Sequence, residues 1–281
     1  MSLRRSMVEV PARVVVVVSL LALTAAAQEK KEFTYNVGPQ AVVSITNNYG
    51  PITVKPSGSR QVVVETVSHS DAVRLMNEQH GDRIELHSIS SRQGTDLVDY
   101  TVLVPADAFV SLRSSDGTLR AQGLRGDVIL EAAAASVEVT DISDAHLHVK
   151  TLSGPITLTD IRNSHLDIHS VSGNVTIRNV AGPSVEVNSG SGRISYQGDP
   201  GSTGEYLLTS HSGDLEVSIP ASALVDIKAR SIKSQSDPEF PIASGFSSTA
   251  GAGNLLLKPG MVAGSRFELR SFRGKIRLKR P

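Results

Sequence analysis

Three sets of side chains could do chemistry, and two of them recur at a fixed spacing. His148, Asp167 and Glu186 stand 19 residues apart, a histidine and two carboxylates of the kind that move protons in glycoside hydrolysis. Asp141, Asp160 and Asn179 keep the same interval, and so do His146 and His165. Oxygen ligands beside imidazoles would suit calcium or a transition metal. The third set, Arg270, Arg273, Lys275, Arg277, Lys279 and Arg280, crowds six positive charges into eleven residues with no acid among them. Such a run would give a weak contact with an anionic surface, and it would fade as salt shortens the screening length.

Each set also has a plain structural role. Alternating charges on a solvated sheet face account for the His148, Asp167, Glu186 row. Asp141, Asp160 and Asn179 are suited to Asx turns, although stacked aspartates repel unless a proton, cation or hydrogen bond intervenes. The terminal Lys and Arg residues can guard an open strand edge against end-to-end association. No G-x-S-x-G, Walker loop, H-E-x-x-H or Rossmann fingerprint is present, and the many Ser-Gly pairs read as turns. We therefore assign no catalytic, cofactor-binding or metal-binding residue and expect no cofactor.

Composition narrows the classes further. The 281 residues contain 28 Lys plus Arg against 28 Asp plus Glu, so the chain lacks the basic excess of a nucleic-acid binder. With no Cys there is no disulfide framework, thiolate zinc site, iron–sulfur cluster or cysteine nucleophile. Sugar recognition usually uses aromatic platforms, and with no Trp, 6 Phe and 5 Tyr the sequence offers no support for it.

The common interval is the sign of a repeat. Aligned on Gly117, Ala135, Gly154, Gly173, Gly192, Gly213 and Ile232, the chain shows intervals of 18, 19, 19, 19, 21 and 19 residues. Seven and five residues before each anchor stand apolar pairs such as Leu147/Val149, Leu166/Ile168, Val185/Val187 and Val225/Ile227. Two and four residues after it stand Val137/Val139, Ile156/Leu158, Val175/Ile177 and their equivalents, with polar residues between. Period-two alternation means strands with one buried face. Each repeat is then strand, tight turn, strand and short return, and stacked repeats enclose a core between two facing parallel sheets. The fold class is all-β, a β-solenoid of roughly 19-residue coils. Glycine in the Ser-Gly turns is expected to supply positive φ, and Ala135 breaks that rule.

The N-terminal and C-terminal coils are less regular. Val43, Ile45, Gly50, Ile52 and Val54 repeat the register, as do Phe267, Leu269, Gly274, Ile276 and Leu278. Residues 62–66, 82–87 and 98–104 alternate like strands, Ser70 to His80 is predicted as a short helix, and residues 237–265 read as a loop or irregular hairpin. Residues 1–27 have the form of a signal peptide: Arg4, Arg5 and Arg13 precede the apolar run Val14 to Leu23, and Ala25 and Ala27 suit cleavage after Ala27. No cysteine follows for a lipid anchor. Removing three Arg and one Glu leaves 25 positive against 27 negative residues, a mature charge of about −2. Residues 28–281 are read as one solenoid domain.

The serial L-x-V-x-T-x-S-G-x-I-x-L units such as Leu147 to Leu158, the V-x-I-x-N-N-Y-G-P-I-T-V of Val43 to Val54 and the D-Y-T-V-L-V-P of Asp99 to Pro105 resemble a known family. It comprises exported “putative-adhesin” domains of unknown function, close to the toastrack and LiaG-like domains of bacterial envelope proteins. The resemblance spans about residues 40–280, with Ala135, Ser234 and Ser236 departing from its pattern. It implies a non-catalytic module at the cell envelope, periplasmic or secreted, adhesin-like or structural, with a possible link to envelope-stress signalling. The partner would be an envelope protein or polymer, not nucleic acid, and the cleaved chain would not span a membrane. The alternatives are a polysaccharide-active β-helix enzyme and a metal-dependent adhesin.

Overall fold

The computed structural model describes residues 15–17, 29–90, 96–220, 222–231, 237–238, 246–251, 254–259 and 264–279. Among these there is no helix; the chain forms two facing, mostly parallel sheets that do not close on each other. In the central coils each repeat contributes one strand to the front sheet and one to the back sheet. His146–Thr151, His165–Ser170 and Ser184–Ser189 are front strands paired in parallel and in register, so that Leu147, Leu166 and Val185 form one row and Val149, Ile168 and Val187 the next. Ile156–Arg162, Val175–Ala181 and Ile194–Gln197 are the matching back strands. Every apolar residue in these rows is buried. No coil can shield its own apolar face, and the core is continuous because each coil covers the next.

The Ser-Gly turns differ from expectation. Gly154, Gly173, Gly192, Gly213 and Gly274 do not have positive φ. They are required because the coils touch there: a Cβ on Gly192 would lie 2.0 Å from the Gly173 carbonyl oxygen, and one on Gly213 would lie 2.1 Å from that of Gly192. A buried serine three residues before Gly173, Gly192, Gly213 and Gly274 fastens the turn, whereas the same position before Gly154 is Thr151. Ser170 Oγ donates to Gly173 O at 2.7 Å and Ser189 Oγ to Gly192 O at 2.9 Å, while Gly213 N donates to Ser210 Oγ at 2.9 Å. Ala135 lies fully buried in the same row without positive φ. The coil before it turns differently, with its front strand running on through Phe109–Asp116 and Gly117 at φ 126.

At both ends the order of coils in space departs from their order in the chain. The coil Val42–Tyr49 and Ile52–Ser57 lies between the coil that follows at Arg83–Ile89 and Val98–Pro105 and the one at Phe109–Asp116 and Thr118–Gln122. At the other end Ser265–Ser271 inserts between Glu205–Ser210 and Val225–Ser231. Ile276–Lys279 likewise inserts between Leu215–Ser218 and Asp237–Pro238. The last strand is therefore internal and guards no open edge. The same pairing shifts the 225–231 strand by two residues, since Tyr206 aligns with Phe267 and Ile227, and Leu208 with Leu269 and Ala229. Ile232, taken as an anchor, and Ser234 and Ser236 lie outside the described residues.

The predicted helix is also replaced. Residues 70–73 form a turn, and Arg74–His80 is a strand antiparallel to Arg83–Ile89, joined to it through Gly81 at φ 61. Val73 and Leu75 pack against the core, Asn77 donates to Tyr35 Oη at 2.7 Å and Gln79 to Asn36 O at 3.0 Å. This alternation and the open edge of Arg83–Ile89 outweigh weak helical propensity. The strands expected at 62–66, 82–87 and 98–104 are present as Gln61–Ser68, Arg83–Ile89 and Val98–Pro105. Within residues 237–265, Phe246–Gly251 and Asn254–Pro259 form an antiparallel hairpin on Val225–Ser231. Val15–Val17 pairs antiparallel with Glu29–Asn36; Ala25 and Ala27, the expected cleavage residues, lie outside the described residues.

Candidate binding groove

The first chemical set is brought together only in part. His148 and Asp167 face each other across neighbouring front strands, with His148 Nδ1 2.9 Å from Asp167 Oδ2. The third member of the cluster is His169, whose Nε2 is 2.8 Å from Asp167 Oδ1. Glu186 turns instead to Asn188, whose Nδ2 donates to it at 2.8 Å. One carboxylate is thus held between two imidazoles on an open sheet face. His169 lies two residues along the strand from Asp167, so its outward side chain falls on the same face, a relation readable from the alternation alone.

The second set forms two ladders. Asp141, Asp160 and Asn179 adopt left-handed backbone at φ 56, 55 and 52, and Asn179 Nδ2 donates to Asp160 Oδ1 at 3.1 Å. His146 stacks on His165 with ring centres 5.0 Å apart, and its Nδ1 is 3.1 Å from Asp127 Oδ1. Turn geometry and hydrogen bonding thus account for these residues. Among the described residues no three His, Asp or Glu side chains are grouped as a metal site. In the third set three charges meet acids: Arg270 binds Glu268 of its own strand at 2.8 Å, while Arg277 lies 3.3 Å from Asp214 and Lys279 3.2 Å from Glu216, both in the neighbouring coil. Arg280 lies outside the described residues.

One concavity is not announced by single residues. A groove of about 1440 Å³ runs across nine strands of the front sheet, from Thr46 to Arg230. At about 4.8 Å per strand its length is roughly 40 Å. One wall is a single outward row in register: Arg113, Glu131, Lys150, His169, Asn188, Thr209, Arg270, Arg230. Arg113 pairs with Glu131 at 3.0 Å, and the Arg270 hydrogen bonds hold the Glu268 carboxyl below the usual carboxylate range. The other wall is made by turn residues two positions further on. Leu152 and Val171 are 59% and 58% exposed there, followed by Gly190, His211 and Phe272. The rings of His211 and Phe272 stack with centres 5.0 Å apart.

A family model described as Toastrack DUF4097 matches residues 42–240. The chain belongs to the toastrack family. The match takes in the inserted coil at Val42–Tyr49 and most of the groove. No curated protein matches this toastrack chain. Three solved structures are similar to it. A “putative cell adhesion protein” from Clostridium sporogenes is 13% identical, with 91% of this chain and 100% of that one covered and a TM-score of 0.25. A “putative adhesin” from Bacteroides fragilis is 10% identical over 91% and 99% of the two chains, with a TM-score of 0.46. A “putative lipid binding protein” from Parabacteroides distasonis is 13% identical over 88% and 96%, with a TM-score of 0.39.

The groove is not legible in the sequence, for a physical reason. Its row is visible there as the position four before each anchor, but its depth arises from the turns standing proud of the sheet. That relief depends on how the coils stack.

Proposed function

We propose that this toastrack chain is an exported, non-catalytic binding module of the cell envelope, periplasmic or secreted, which takes an extended polymer lengthwise along the front sheet. The observation that carries the reading is the groove itself, continuous over nine strands. A lengthwise site presents similar contacts at every step, whereas a hydrolase gathers its polar groups at one point. Here the polar groups are distributed along a row. Contact of the basic C-terminus with anionic surfaces, through Arg273 and Lys275, and a link to envelope-stress signalling belong to the same reading.

The test uses the mature protein and isolated envelope fractions. Leu152→Glu with Val171→Glu places two carboxylates in the groove, while Thr157→Glu with Thr176→Glu does so on the back sheet. The groove variant should lose cosedimentation with the envelope and the back-sheet variant should keep it. Equal retention by both would refute the reading. Loss of binding in chelator would favour the metal-dependent adhesin, and release of reducing sugar ends would favour the enzyme.

A further inference from the structure

We infer that the polymer recognised by the groove is an anionic polysaccharide, bound through its acidic groups by Lys150 and Arg230 and through its sugar rings by the apolar turn ladder. The inference rests on the lengthwise-binding reading above and names its ligand class.

Charge is the first argument. The chain as a whole is balanced, with 28 basic against 28 acidic residues, yet the groove is lined by five Lys or Arg and only two Glu. Of those cations Arg113 is engaged by Glu131, and Arg270 and Lys228 by Glu268. Lys150 and Arg230 carry no acidic partner among the described residues, and both stand in the outward row. Five strand steps separate them, through His169, Asn188, Thr209 and Arg270. At about 4.8 Å per step the span is roughly 24 Å. Free cations near both ends of a neutral stretch complement a chain that carries repeated negative charge.

The kind of chain follows from the rest of the lining. His169, Asn188 and Thr209 offer hydrogen-bonding groups at every step, as a run of sugar hydroxyls requires. Opposite them the exposed Leu152 and Val171 present the apolar surface on which a pyranose lays its CH face, beside the stacked His211 and Phe272 rings. The ring pair exists only where the inserted strand Ser265–Ser271 brings Phe272 beside His211.

An acidic polypeptide fits less well. Its same-face side chains repeat at about 6.7 Å, so they fall out of step with the coils within two or three strands. The floor strands are also paired on both sides, leaving no edge for a peptide to join. A pyranose unit in an extended glycan advances by close to one coil step.

The experiment is titration calorimetry of the mature protein with oligogalacturonates of graded length, neutral cello-oligosaccharides and poly-L-glutamate, at low and high salt. Oligogalacturonate should bind, more tightly with length until it spans Lys150 to Arg230, and salt should weaken it. Lys150→Ser with Arg230→Ser should reduce affinity about tenfold or more without changing the unfolding temperature. If neutral oligosaccharides bind as well as the acidic ones, or the double variant keeps full affinity, the anionic assignment falls and lengthwise binding stands. Tighter binding of poly-L-glutamate would replace the sugar by a polypeptide. If none of these binds and the Leu152→Glu, Val171→Glu variant still cosediments with envelope, the binding-module reading falls as well.

Discussion

A Cβ placed on Gly173 would stand 2.0 Å from the carbonyl oxygen of Gly154 in the adjoining coil. The glycine sets the distance between coils at the turn, because the front and back strands on either side are held to one another by backbone ladders and cannot spread locally. Gly173→Ala is expected to cost about 1–3 kcal/mol and lower the unfolding temperature by several degrees. Gly58→Ala, at a site with nothing within 4 Å, should leave it unchanged. Thermal unfolding followed by circular dichroism compares the two, and equal melting would mean that the coils relax freely.

Ile168 and Asp167 test the register. Ile168 is fully buried between the sheets, and Ile168→Asp should unfold the chain because the new charge finds no partner there. Asp167→Ala removes only half-exposed contacts with His148 and His169 and should change stability by about 1 kcal/mol or less. Reversal of the two effects would place the strand one residue out of register.

Asn47 holds the inserted N-terminal coil in place. Its buried Nδ2 donates to Gly50 O at 3.1 Å and Val98 O at 2.7 Å, and its Oδ1 accepts from Ser88. Asn47→Ala leaves two carbonyls and a hydroxyl short of a partner and should cost about 1–3 kcal/mol. Hydrogen exchange should show the loss first in Arg83–Ile89 and Val98–Pro105; uniform loss across all coils would contradict this local role.

Alkali should unfold the protein through its tyrosines. Burial raises Tyr196 and Tyr206 above the ordinary 10.0, and pushes Tyr100 up to about 12. The folded state therefore keeps phenol protons that the unfolded chain releases above pH about 10, so stability falls with rising pH between about 10 and 12. Tyr196→Phe costs stability at neutral pH, since the hydroxyl donates to Val180 O at 2.7 Å. Its stability should nonetheless decline less steeply over that alkaline window. Urea unfolding at pH 9 and pH 11 measures both slopes, and parallel decline would show that Tyr196 does not contribute.

Export predicts a mature chain beginning at Gln28. Mass spectrometry of the periplasmic and extracellular fractions should find that N-terminus, while an intact Met1 in membranes would show that Val14 to Leu23 acts as an anchor.

The solenoid was legible in the sequence because alternation and period are local properties. Leu166, Ile168, Val175 and Ile177 declare which face is buried in each strand, and a 19-residue interval leaves equivalent strands little choice but to stack. The same arithmetic placed His148 beside Asp167 and His146 beside His165. It could not place Glu186 and Asn188 in their own pair, since that depends on side-chain rotation.

What tertiary structure alone decided is adjacency where the period is interrupted. Nothing local states that Val42–Tyr49 lies beside Phe109–Asp116, or that Ser265–Ser271 enters between Glu205–Ser210 and Val225–Ser231. A strand edge accepts any partner of matching pleat, so the choice is made by which arrangement covers the whole core. From that choice come the stacked pair His211 and Phe272, the pairing of Arg277 with Asp214 and of Lys279 with Glu216, and the continuous groove. Their residues are far apart in the chain and meet only after the ends of the solenoid have folded back.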